Sequence, residues 1–324
     1  MVTKVLNIAG YKFEPLDNIG FLQHRFQTEC ENLNLKGTIL LSKHGINFTI
    51  AGTEENIEQY IQFMEDDERF LNIPIKRSYS EKQPFRRMKV KLKKEIISLG
   101  REDINPRELT GARIAPKDFQ SMLDNGEDVI VLDTRNEYET RVGLFENAID
   151  LKLDTFRDFP KAIESLPEEY KNKQIVMYCT GGIRCEKASA YLKHKGLKNV
   201  FQLEGGIIEY TRQVKENNLT NNFIGKNFVF DERRGERVSK EIVANCHQCG
   251  TPCDDHVNCA NESCHLLFIQ CHNCKVDMNN CCSNECMQII ELPVKEQKRL
   301  RKGKHNSNKI FKKGRSPKLK YKLS

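Results

Sequence analysis

Ten of the chain's thirteen cysteines fall within 41 residues, between Cys246 and Cys286. A segment that short cannot bury a sufficient core of its own, so cross-links must hold it together. Cys246–Cys249 and Cys271–Cys274 are CxxC pairs; Cys253, Cys259 and Cys264 lie between them, and Cys281, Cys282 and Cys286 follow. The opening MVTKVLNIAG lacks the charged-then-apolar order of a secretory signal. No run approaches the roughly 18 apolar residues that span a bilayer. A cytoplasmic protein without membrane contact is therefore expected, and CxxC pairs in that setting favour structural zinc over disulfides. Tetrahedral zinc takes four thiolates, so eight cysteines would fill two sites. The foremost ligands are Cys246, Cys249, Cys264, Cys271, Cys274 and Cys286, and the two spare cysteines come from Cys253, Cys259, Cys281 and Cys282. An interleaved pairing, first knuckle with third and second with fourth, stands beside a sequential one. An iron–sulfur cluster is the alternative that would add redox chemistry. His247 and His272 lie inside the CxxC pairs and are expected to face solvent.

The formal charge of +7 is unevenly spread: residues 294–324 hold thirteen Lys/Arg and one acid, Glu296, a net +12 that leaves −5 for the rest. Such a segment reads as a disordered tail suited to a polyanion.

Near the other end, strand-like and helix-like periods alternate. Val5, Leu6 and Ile8 suggest a strand, and Phe21, Leu22 and Phe26 share one face of a helix. Thr38–Leu41 and Ile46–Ile50 read as a hairpin through Lys43-His44-Gly45, and Thr53 opens a helix that repeats Ile57, Tyr60, Ile61 and Met64. That order predicts a ferredoxin-like α+β domain over residues 1–98. Within it, residues 84–94 alternate apolar and basic side chains. A strand there would bury Met88, Val90 and Leu92 and present Lys89, Lys91 and Lys93, with Arg86 and Arg87 beside them. Lysines of this kind protect a sheet edge or meet a phosphate backbone.

A linker is expected over 99–115, then an α/β domain over 116–220 whose apolar strands alternate with helices, the pattern of a doubly wound parallel sheet. Its strand Gln174–Tyr178 runs straight into Cys179-Thr180-Gly181-Gly182-Ile183-Arg184, and a helix follows. Glycines let successive N–H groups curl toward the sulfur, and the helix adds its positive end. The thiol should therefore ionise easily, with Arg184 supplying fixed charge. Arg184 follows Cys179 by five positions, a loop too short to surround a tetrahedral phosphate, which favours sulfur chemistry. Asp133 and Arg135 follow an earlier strand and read as an ion pair bracing this loop. Cys185 falls on the apolar face of the helix with Ala188 and Leu192 and reads as core.

Taken together, these blocks resemble the rhodanese-containing tRNA uridine(34) hydroxylase family. The resemblance rests on His44-Gly45-Ile46-Asn47, Phe85 through Glu95-Ile96, Asp133 through Glu139, Cys179 through Ala188, Gly205-Gly206-Ile207 and Phe228-Val229-Phe230-Asp231-Glu232-Arg233. His44 and Phe48 depart from it, where the family usually has Glu and Gly. The resemblance implies a rhodanese domain at 116–220; a connecting segment at 221–245, the zinc-binding segment at 246–290 and the basic tail at 291–324 complete the expected organisation. It also implies oxygen-dependent formation of 5-hydroxyuridine at the wobble position of tRNA, presented in the anticodon loop, with Cys179 as the persulfide-type active-site cysteine. O2 would be co-substrate, with an unidentified reductant and a sulfur- or electron-donor protein as partner; no flavin or haem motif is visible. Two other readings stand: a sulfurtransferase passing sulfane sulfur from Cys179, and a non-catalytic zinc- and RNA-binding adaptor.

Overall fold

The computed structural model describes residues 4–302 and Leu319. It divides into two compact units. The first comprises the chain up to Arg135, Ala148–Thr220 and Phe230–Arg233; the second comprises Asn136–Asn147, Asn221–Val229 and the chain from Arg234 onward.

The first unit opens with β1 (Val5–Phe13), α1 (Ile19–Asn32), β2 (Lys36–Ser42), β3 (Gly45–Gly52), α2 (Glu54–Glu65) and β4 (Lys76–Ser80), and β5 (Met88–Leu92) follows. The sheet runs β4-β1-β3-β2-β5, with β5 parallel to β2 and the other pairs antiparallel. This is the expected βαββαβ order with one added edge strand. Thr53 caps α2 by accepting from the Asn56 N–H. Ile57, Tyr60, Ile61 and Met64 are buried against the sheet. In α1 only Leu22 and Phe26 of the expected trio are buried; Phe21 is 69% exposed, because it lies a helical step off the face that meets the sheet. Phe48 fills the space that Gly10 leaves, where a Cβ would come within 2.6 Å of its ring.

On β5, Val90 is buried and Met88 partly so, but Leu92 is exposed, as the strand ends there at the sheet edge. The outward backbone groups of Val90 are taken up by α1. Gln23 Nε2 donates to the Val90 carbonyl at 2.8 Å, and the Val90 N–H donates to Gln27 Oε1 at 3.2 Å.

The next elements are β6 (Ala112–Ile114), α3 (Pro116–Asp124) and β7 (Val129–Asp133). The expected linker thus ends early, since Ala112–Ile114 forms a strand parallel to a later one. Three residues are too few to show a period. After α4 (Glu137–Thr140) and β8 (Gly143–Phe145), which belong to the second unit, come β9 (Ile149–Asp150), α5 (Phe159–Glu164), β10 (Gln174–Tyr178), α6 (Ile183–His194), β11 (Val200–Leu203) and α7 (Gly206–Asn217). The sheet order is β6-β11-β10-β7-β9, parallel throughout, with β10 at its centre.

Helix α6 is buried on every side from Arg184 to Leu192. Three of its charges, Arg184, Glu186 and Lys187, are therefore inside. Lys187 pairs with Glu95 at 3.0 Å, the two side chains 3% and 6% exposed, and the other Glu95 oxygen accepts from the Gly100 N–H. This buried pair fastens the end of the first domain to the second.

In the second unit, β12 (Phe223–Asn227) pairs antiparallel with β8 and with β13 (Glu236–Arg237), and β14 (His256–Asn258) pairs with β15 (Leu267–Ile269). Helices α8 (His272–Asp277), α9 (Asn284–Glu291) and α10 (Val294–Arg301) follow. The segment expected as a disordered tail thus begins with a helix, because its first turns have good helix formers and a Glu296–Arg299 pair. The rest of that segment, Leu319 apart, lies outside the described residues. No described helix is long and apolar enough to cross a membrane.

Lys187→Met is expected to lower stability by about 3–5 kcal/mol, because it leaves Glu95 buried without its cation. Adding Glu95→Leu should recover most of that loss, and guanidinium unfolding of the three proteins checks both.

Candidate active site

Cys179 lies just past the C-terminal end of central strand β10, and its side chain is fully buried. The Gly182 N–H donates to Cys179 Sγ at 3.0 Å, and the Arg184 N–H also reaches the sulfur. Gly182 has φ +98°, which a residue with a Cβ adopts only with strain. The loop is held from outside by the start of α7: the Ile207 N–H donates to the Cys179 carbonyl at 3.0 Å and the Ile208 N–H to the Thr180 carbonyl at 3.1 Å. With those carbonyls tied outward, the loop's amides face in. Gly206 makes this approach feasible, since a Cβ there would lie 2.4 Å from the Cys179 carbonyl oxygen. Arg184 donates to Thr180 Oγ1 and lies under the ring of Phe230 at 5.7 Å.

Burial by itself pushes the Cys179 thiol up. A hydrogen bond from Cys185, the Arg184 charge and the Arg184 and Gly182 N–H groups outweigh it and bring the thiol down to about 5. Cys185, buried beside it, is pushed up, first by burial and then by its bond to Cys179. Cys185 is thus both core, as its helical face implies, and a hydrogen-bond donor to the loop sulfur. Asp133 and Arg135 form a fully buried bidentate pair, with Arg135 under the Tyr178 ring at 5.5 Å.

Two neighbours, Tyr11 and Lys76, escape a reading of the sequence, because they come from distant segments. Tyr11 on β1 brings its hydroxyl to the loop, 2.9 Å from where a Gly182 Cβ would stand, and bonds Glu186 at 3.4 Å. Glu186 is buried and also accepts from Arg113 at 2.6 Å, Thr110 and Gln202. Lys76 on β4 passes over Gly181 and lies 5.4 Å from the Tyr11 ring. Burial lowers its pKa against the opposing pull of Cys179 and Glu209. Tyr11, Lys76, Thr110, Arg113 and Glu186 line a cleft of about 670 Å³ beside the cysteine loop.

Of the basic stripe, Arg86 pairs with Glu232 at 2.8 Å, Lys89 is half-buried, and Arg87, Lys91 and Lys93 are exposed. In the second unit, Cys246, Cys249, Cys271 and Cys274 form one group and Cys259, Cys264, Cys282 and Cys286 another, the sulfurs of each within 4.8 Å of one another. The grouping is interleaved and leaves Cys253 and Cys281 outside. His272 is exposed as expected, but His247 is buried, where its Nδ1 accepts from the Ile269 N–H.

A parallel sheet whose central strand empties into a glycine-lined, arginine-closed cysteine loop defines a rhodanese-fold protein. Family models agree, matching a "UPF0176 acylphosphatase like domain" at residues 5–96, a "Rhodanese-like domain" at 115–213 and a "Rhodanase C-terminal" region at 224–287. The chain belongs to the tRNA uridine(34) hydroxylase family. It is 44% identical to the protein of that name from Enterobacter sp. (strain 638), over 96% of this chain and 89% of that one. It is 46% identical to the one from Escherichia fergusonii, over 87% and 81%. A solved rhodanese-like domain protein from Staphylococcus aureus is similar to 31% of this chain and covers 90% of its own, at 27% identity and a TM-score of 0.27.

Alkylation of Cys179 by iodoacetamide, followed by mass spectrometry of its peptide, should rise with pH through a midpoint near 5, since the thiolate is the reactive form. Gly206→Ala should move that midpoint upward by loosening the loop. A midpoint at the ordinary thiol value in the wild-type protein would contradict the geometry.

Proposed function

We propose that this protein hydroxylates the wobble uridine of tRNA, position 34, to 5-hydroxyuridine, with Cys179 at the reacting centre. The observation that carries the reading is an anion-stabilised cysteine in a chain related over nearly its whole length to proteins named for that activity. The uridine C5–H, O2, two electrons and two protons yield C5–OH and water, so O2 is co-substrate and a separate two-electron reductant is consumed. Within the loop, the Gly182 and Arg184 N–H groups and the Arg184 charge hold Cys179 sulfur as an anion, as thiolate or as persulfide. The anticodon base is already single-stranded, so its delivery costs less than opening a duplex. Lys89, Lys91 and Lys93, with Arg86 and Arg87, supply charge for the phosphate backbone, and the segment of net +12 adds to it. The loop of rhodanese length also supports sulfur transfer from Cys179 as the second reading, with a sulfur-donor protein as partner.

Nucleoside mass spectrometry of tRNA from cells lacking wobble hydroxylation, complemented in air, tests the assignment. The wild-type chain should restore 5-hydroxyuridine and Cys179→Ala should not, although the variant remains folded. Modification at wild-type level in that variant would overturn the role of Cys179.

Each cysteine group is a structural zinc site. A tetrahedron with metal–sulfur bonds of about 2.3 Å has an edge of about 3.8 Å. Cys249–Cys271 and Cys264–Cys282 sulfurs are 3.6 Å apart and Cys282–Cys286 sulfurs 3.8 Å. N–H groups of Cys271 and Cys282 donate to the sulfurs of Cys246 and Cys259, as they would to thiolates. An iron–sulfur cluster interposes several atoms between its cysteines and fits this spacing less well. Metal analysis should find two zinc ions per chain, one after Cys259→Ser and still two after Cys253→Ser.

A further inference from the structure

The segment Phe230–Arg233 takes no part in the cysteine loop's anion chemistry, yet it is built onto the loop's rim. Phe230 is 58% exposed. It is held there by its neighbours. Arg233 grips Asp231 through two nitrogens at 2.9 and 2.6 Å and donates to Ser78 Oγ at 3.1 Å. Glu232 pairs with Arg86, and its N–H donates to the Pro84 carbonyl. Ser78 and Lys76 alternate onto the same face of β4, so the segment meets the strand that also sends Lys76 over Gly181.

An exposed aromatic ring next to a braced segment, with the loop's own arginine 5.7 Å from its centroid, is a ready-made surface for a planar ligand. Single-stranded nucleic acids are bound by stacking of bases on aromatic rings, with cations tracking the backbone. Here the cations are close by: Lys76 over the loop, and Arg86 and Arg87 on the segment before β5. Arg184 links ring and sulfur: its guanidinium lies 5.7 Å from the ring centroid and its main-chain N–H reaches Cys179 Sγ.

We propose that Phe230 is the stacking platform for a nucleobase of the single-stranded anticodon loop, and that the ion pairs of Asp231, Glu232 and Arg233 hold its ring at the rim of the Cys179 loop. This rests on the tRNA-modifying function proposed above and assigns it a base-binding residue. The ring reads no sequence, because every base has a π face; it positions the RNA beside the sulfur.

The test uses the full-length protein, zinc-loaded, and an anticodon stem-loop RNA carrying 2-aminopurine at the wobble position or at either neighbour in turn. Affinity is read by anisotropy and stacking by quenching of the 2-aminopurine. With wild-type protein, quenching should appear at one of these positions. Phe230→Leu, which keeps apolar bulk and removes the ring, should abolish the quenching and weaken binding roughly 5- to 150-fold. Phe230→Trp should restore both. The salt dependence of binding should be the same in all three proteins, because stacking releases no counterions. The pH midpoint of Cys179 alkylation should also stay put in Phe230→Leu. Unchanged affinity and quenching in Phe230→Leu, alongside a wild-type protein that hydroxylates tRNA, would overturn this proposal alone. A moved alkylation midpoint with unchanged affinity would also overturn it, making the ring a brace for Arg184. If wild-type protein neither binds nor modifies the RNA, the function proposed above falls with it.

Discussion

Two adjacent charges inside helix α6 govern how the catalytic half of this molecule is put together. Burying Glu186 and Lys187 is costly unless each finds its partners, and the partners come from other parts of the chain. Glu186 gathers Arg113, Thr110, Gln202 and the Tyr11 hydroxyl, while Lys187 takes Glu95. The same helix begins at the cysteine loop and directs its positive end there. Docking of the ferredoxin-like domain and shaping of the sulfur site are therefore one event. A misplaced first domain would separate Lys187 from Glu95 as well as removing Tyr11 and Lys76 from the cleft.

The sulfur site joins two side chains, the Cys185 thiol and the Arg184 guanidinium, to a main-chain cradle. The cradle's donors are N–H groups aimed by carbonyls that α7 holds from behind, and Gly182 and Gly206 are required because only a missing Cβ permits those conformations and that approach. Such a cradle favours negative charge on sulfur whether the atom is a thiolate or carries a further sulfur. This suits a family in which rhodanese architecture serves an oxidation of RNA, and it leaves recognition of the RNA to surrounding segments.

What the sequence disclosed followed the range of the interactions. The cysteine loop was legible because strand, glycines and arginine lie within a few residues and their geometry is local. The interleaved cysteine groups were suggested by spacing, since a CxxC turn supplies two sulfurs by itself. Tyr11 and Lys76 were not legible, as nothing near residue 11 or 76 refers to a loop at 179. Strand Ala112–Ile114 is too short to show alternation, and Leu92 and Phe21 follow the core period yet are exposed, because a periodic pattern does not say where a sheet ends or how wide a helix's buried face is. His247 was expected in solvent and is buried because it accepts a backbone N–H from β15, a partner more than 20 residues away.

The glutamines of α1 give the basic edge strand a property that its lysines alone would not. An open strand edge recruits other strands through its unpaired backbone groups. On β5 the outward N–H and carbonyl of Val90 are already spoken for by Gln27 and Gln23. The sheet therefore cannot be continued there by a second copy or by an extended peptide without first evicting α1's side chains. Whatever approaches this edge must meet it through ammonium groups rather than through the main chain, which turns a place where proteins commonly aggregate into one reserved for anions.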